Sequence, residues 1–189
     1  MDLEDQLASE WEAEQAALDS EAERLRLSRV PLRDRLRMLA HAETSCSFEL
    51  VDGSAHTARI GAVGVDWIAL DPADGGRRGL IVPLAALTSV AVAPSALVRS
   101  ARPVLAPSAI AERMTFGFVL RDLVRRRAAV ALQLVGGRSL TGTIDRAGTD
   151  HLDLALHDAG APRRLDEVKG HRMVPFSAIA WVRPDGADG

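Results

Sequence analysis

Between Ala129 and Leu156 apolar and polar positions alternate with a period of two, broken twice by turn residues. Val130, Leu132 and Leu134 alternate with Ala131, Gln133 and Val135, the pattern of a strand with one buried face. Gly136-Gly137 tolerates positive φ at both positions and predicts a tight hairpin. Leu140, Gly142 and Ile144 resume the alternation, Asp145 to Thr149 turn the chain again, and Leu152, Leu154 and Leu156 predict a third strand.

The pattern occurs once earlier. Shifting the sequence by 84 positions lays Phe48 on Leu132, Leu50 on Leu134, Asp52-Gly53 on Gly136-Gly137, Ile60 on Ile144, Gly64 on Gly148, Asp66 on Asp150 and Leu70 on Leu154. Eight additional residues then move the offset to 92, where Val82-Pro83-Leu84 meets Val174-Pro175-Phe176 and Val90 meets Val182. Apolar positions and turn residues agree together, which indicates an internal duplication.

The rest of the chain reads around these two units. Residues 2–29 lack Gly and Pro and are rich in strong helix formers, so a long helix is predicted. Its apolar positions Leu7, Trp11, Leu18, Ala22 and Leu25 form one stripe with a spacing of eleven, from Leu7 to Leu18 and from Trp11 to Ala22. Two readings stand, a helix lying on the body and a coiled-coil arm that dimerises. A second helix is predicted over Pro31 to Ala42, with Leu32, Leu36 and Leu39 on one face and Arg33, Arg35 and Arg37 elsewhere. Its counterpart is Ala109 to Arg127, ending in Arg125, Arg126 and Arg127. Strands are expected at 45–51, 55–62, 65–70, 80–83 and 87–92, with a short turn at 84–86. Residues 1–29 are thus a helical arm, 30–93 a first unit, 94–108 an Ala/Pro/Ser linker, 109–184 a second unit and 185–189 a tail.

Charge changes the picture. The first 23 residues hold nine acids and no Lys or Arg, which leaves 17 acids against 23 bases in the remainder, a balance of +6. All the bases but Lys169 are arginine. An acidic arm precedes a mildly basic body. Arginine near helix ends complements the dipole, or offers bidentate contacts to phosphate. The candidates for nucleic-acid contact are Arg33, Arg37, Arg125, Arg126, Arg127, Arg163 and Arg164; those for a partner helix are Leu7, Trp11, Leu18 and Leu25. One cysteine, Cys46, falls on an inward strand position and forms no internal disulfide. With no leader-like apolar start, a cytoplasmic location is expected. The apolar run Leu80 to Val98 contains Pro83 and Pro94, so no membrane span is expected.

A helix followed by five short strands, with a tight turn between the last two, resembles the Sm-like small barrel family. The resemblance is carried by Gly142, by Gly148 to Leu154 and by Val174 to Ile179, and it covers about 30–93 and 109–184. SH3-like barrels share the pattern. The fold implied is α+β, mainly β, with a long N-terminal helix and two tandem helix-plus-five-stranded barrels. The resemblance also implies pairing through exposed edge strands and binding of single-stranded RNA. The family's base-contacting asparagine falls at Ala69 and Asp153, and its Arg-Gly or Lys-His pair at Val82-Pro83 and Val174-Pro175. That pocket therefore does not carry over residue by residue.

His151, Asp153 and His157 alternate on one strand face and read as exposed polar positions. Gly136-Gly137-Arg138 precedes no helix and is a hairpin rather than a phosphate loop. Asp66 and Asp150 are expected to cap their own turns. Trp67 and Trp181 are the aromatics available to a ligand. No cofactor, metal or enzymatic activity is expected. Two functions remain: association with single-stranded RNA or a ribonucleoprotein through arginine, and a protein adaptor that docks or dimerises through its N-terminal helix and barrel edges.

Overall fold

Apolar residues two apart on each strand, and three or four apart on the shorter helices, give those elements one side to bury. The computed structural model describes residues 3–73, 79–102, 113–158, 160 and 167–185. Helix α1 spans Leu3–Ser28 and α2 Leu32–His41. Strands β1 (Cys46–Leu50), β2 (Ala55–Val63), β3 (Trp67–Pro72), β4 (Leu80–Pro83) and β5 (Leu87–Ala91) follow, with a 3-10 turn at Leu84–Ala86. Helices α3 (Pro94–Ser100) and α4 (Phe116–Arg126) lead to β6 (Ala129–Leu134), β7 (Ser139–Ala147), β8 (His151–Leu156), β9 (Gly170–Pro175) and β10 (Ile179–Pro184). The fold is mixed α+β with more strand than helix.

All ten strands belong to one open antiparallel sheet, in the order β5-β1-β2-β3-β4-β10-β6-β7-β8-β9. The first five and the last five run in the same internal order, and the two runs meet where β4 lies beside β10. Backbone geometry repeats with the sequence. Gly53 and Gly137 both have φ +80°, while Glu43 and Arg127 are the two non-glycine residues with positive φ among the described residues. Both β2 and β7 carry an irregularity, after Ile60 and after Ile144. The bond from Val51 N–H to Ala86 O returns as Val135 N–H to Ala178 O, each 3.0 Å.

Two cores follow. Leu36, Phe48, Ile68, Leu70 and Val82 are buried in the first, and Leu120, Leu132, Leu152, Leu154 and Val182 in the second. Each such side chain contributes about 1.5–3 kcal/mol by leaving water. Cys46 is in the first core, where burial pushes its thiol pKa up.

The helices depart from expectation in two places. The stretch expected as a linker contains α3, because Pro94 fits a first helical turn and Ala96 and Ser100 find a buried side. Arg35 fastens α3 to α2 by donating to Ser100 Oγ at 3.0 and 3.1 Å and to Leu97 O at 2.8 Å. Helix α4 starts at Phe116, since Thr115 is extended and its Oγ1 accepts the Phe118 N–H, and the expected helix start at Ala109 lies outside the described residues. Residues 103–112 lie outside the described residues.

Candidate functional site

Strand β3 alternates, so Ile68 and Leu70 face the first core and Trp67 and Ala69 face away from it. That outer face is not solvated. Trp67 is 5% exposed and belongs to the second core, against which Ala62, Ala69 and Ile81 also pack. Trp67 is therefore a buried part of the joint between the halves and not an aromatic open to ligand. Its Nε1–H donates to Met114 O at 2.9 Å, as does the Val65 N–H. Asp66 does not cap its own turn, since its Oδ1 accepts the N–H of Phe116, the first residue of α4, at 2.6 Å. Ile81 of β4 stands opposite Val182 of β10. From the other side Trp181 packs on the first core, with Arg183 5.5 Å over its ring and His56 edge-on at 6.3 Å. Burial lowers the pKa of His56; Asp52 raises it and Arg183 lowers it further.

Among the described residues the two outer edges of the sheet, β5 and β9, pair with no further strand and are the counterparts of β10 and β4. Beside β5, a groove of about 210 Å³ is lined largely by apolar residues, among them Leu32, Leu36, Leu39, Leu87, Val90 and Leu97. Beside β9, a shallower groove of about 460 Å³ is lined by Asp145, Arg146, Asp153, His171, Arg172 and Met173. Met173 is 79% exposed. In the turn that corresponds to the Asp66 turn, Asp150 Oδ1 is bonded to its neighbour His151 Nδ1 at 2.8 Å. That bond holds the Asp150 carboxyl below its ordinary pKa.

The arginines expected to contact nucleic acid are placed unevenly. Arg33 Nε donates to Gly64 O at 2.7 Å and Arg37 is paired with Asp34, so both serve the first unit. Arg125, Arg126 and Arg127 are exposed at the end of α4, with Arg125 and Arg126 sharing Asp122. Arg163 and Arg164 lie outside the described residues. Along α1, Trp11, Leu18 and Leu25 are 68, 66 and 51% exposed, so this stripe is not laid on the body. Leu7 lies within α1, but its side chain is outside the described set.

The polar row on β8 also differs from expectation. His151 and Asp153 are partly exposed, but His157, just past the strand, is 3% exposed, with Nε2 bonded to Thr143 Oγ1 at 2.8 Å and Nδ1 to Asp158 O at 3.0 Å. Among the described residues no group of three or more His, Cys, Asp or Glu is placed to hold a metal, and no helix is long and apolar enough to cross a membrane. Compared with known proteins, the chain matches no family model, no curated protein and no solved structure.

Proposed function

We propose that the chain is a non-catalytic interaction adaptor, built from two Sm-like units that arose by duplication, which docks partners on its open sheet edges. The observation that carries this reading is the β4–β10 joint. There one unit accepts a strand of another on the edge that β9 still offers to solvent, and edge pairing is a general mode of peptide recognition. The exposed stripe of Trp11, Leu18 and Leu25 on α1 supplies a second contact, with another helix or another copy. Selection of displayed random peptides against the full chain tests the reading, with amide exchange used to map the winners. Peptides that protect β5 or β9 support it; peptides that protect only loops or α4 overturn it.

A second reading is favoured by the exposed run Arg125–Arg127. There the protein associates with single-stranded RNA or a ribonucleoprotein through these side chains and Arg163 and Arg164. Such binding weakens steeply with salt, whereas an edge-strand contact does not. Anisotropy of a labelled single-stranded RNA, at low and near-physiological salt, separates the two.

A further inference from the structure

The in-chain joint and the two free ends can be compared position by position, because the halves repeat at fixed offsets. The residues of β2, β3 and β4 that enter the joint are Ala62, Trp67, Ala69 and Ile81. At the free β9 end the same positions hold Arg146, His151, Asp153 and Met173. On the opposite side of the joint stands Trp181, and its counterpart on the free edge β5 is Ser89, whose Oγ donates to Glu49 Oε2 at 2.7 Å. Both tryptophans that pack across the joint, Trp67 buried and Trp181 half-buried, are thus replaced by polar residues at the ends.

The hydrogen bonds differ in the same sense. In the joint Asp66 Oδ1 is open to the first N–H of α4, and the Trp67 ring donates to Met114 O. At the free end Asp150 Oδ1 and His151 Nδ1 bond each other, so these two groups are engaged within their own turn rather than across a joint. A copy arriving with the corresponding groups of its own α2, Val30 O and Leu32 N–H, meets a closed turn. Its apolar groove beside β5 also meets the charged groove beside β9. Arg146 and Asp153, opposite each other in register on β7 and β8, occupy alanine positions of the joint, and taking even an opposed pair of charges out of water is costly.

We propose that the chain terminates its own repeat: the polar set Arg146, Asp150, His151 and Asp153 caps the β9 end against the β5 edge of another copy. The molecule is then a self-limited two-unit body rather than a segment of a ring or filament. A heterologous contact that is not capped in this way propagates until it closes. The inference rests on the reading of β5 and β9 as docking edges, and it states which strand they exclude.

The test is a disulfide trap in the full chain. Val90→Cys and Met173→Cys place thiols at the positions corresponding to Val182 and Ile81, while Cys46 stays buried and silent. Val182→Cys with Ile81→Cys is the control that shows the geometry closing within one chain. Under oxidation the expected result is no disulfide-linked dimer from the Val90→Cys, Met173→Cys protein, even if α1 brings copies together. Adding Arg146→Ala, His151→Trp and Asp153→Ala is expected to produce the linked dimer. His151→Trp alone is carried in parallel, and circular dichroism checks that both fold. A linked dimer without the added changes overturns the proposal. Failure of every folded variant to link also overturns it, because the polar set is then not what blocks pairing. Either result leaves the peptide-exchange test of the docking edges standing on its own.

Discussion

The outer face of the first half and the outer face of the second are built on the same backbone and carry opposite chemistry. Ala62, Trp67, Ala69 and Ile81 face the second core and are covered by it. Arg146, Asp153, His171 and Met173 surround a groove open to water. A strand's inward side chains set its fold, and the repeat preserves them: Ile68 and Leu152 are both fully buried. The outward side chains set its neighbours, and there the halves differ. The comparison shows where the chain spent its freedom to differ.

The largest break in that comparison comes from Trp67. Its ring packs into the joint and its Nε1–H donates to Met114 O, so Trp67→Ala is expected to cost about 3–5 kcal/mol. His151→Ala, at the matching surface position, is expected to stay within about 0.5 kcal/mol. Urea unfolding followed by circular dichroism measures both. Equal losses would mean that Trp67 stabilises its own half and not the joint.

A smaller effect is expected at the paired aspartates. Asp66→Asn weakens a capping bond to the first N–H of α4 and is expected to cost about 1 kcal/mol, in the range of helix N-cap substitutions. The exposed Asp150 carboxyl bonds its own neighbour His151, so Asp150→Asn is expected to leave the urea midpoint where it was. The same urea titrations decide, and an Asp150→Asn loss as large as that of Asp66→Asn removes the distinction between a used and an unused joint.

Much of the architecture was legible because inward positions announce themselves by period. The five strands expected in the first half lie within two residues of those observed, and α1 and α2 within two residues at each end. What alternation leaves open is the use of the outward face. Trp67 sits opposite Ile68 and Leu70 in phase and so reads as exposed; only the arrival of α4 and β10 buries it. For the same reason Asp66 reads as a local cap, although its partner lies 50 residues away. His157 continues the polar phase of β8, but it lies beyond the strand, where the chain turns its ring under Thr143. Helix α3 was hidden by composition, since three prolines suggest a linker, although the first of them, Pro94, sits where a helix begins. The edge arginines could be enumerated from sequence, but their partners, such as Gly64 O for Arg33, could not.

A pH series sharpens the contrast at the joint. His56 corresponds to Leu140 of the second half, and burial lowers its pKa. The unfolded chain therefore takes up this proton first. Stability from this site is full above the unfolded value of about 6.5 and declines as pH falls below it, towards the folded value. His56→Leu gives the first half the second half's residue and is expected to flatten the fall of Tm between about pH 7 and pH 5.5. An unchanged slope would assign the dependence to other histidines.

The smallest effect lies at the capped end. The Asp150 carboxyl is held below its ordinary pKa first by the hydrogen bond from His151, and further by the charge of that ring. A carboxyl with a depressed folded pKa contributes stability above its unfolded value, and that contribution is lost as pH falls through the folded one. Because the group is fully exposed, the signal belongs in a site-resolved titration rather than in a melting curve. Carboxyl carbon shifts of Asp150 are expected to titrate below the ordinary aspartate range, and His151→Ala is expected to return them to it. Together the two curves test whether Asp150 and His151 hold each other in solution as they do in the fold. If His151→Ala leaves the titration where it was, the pair is not formed, Asp150 is as open as Asp66, and the β9 end loses part of its cap.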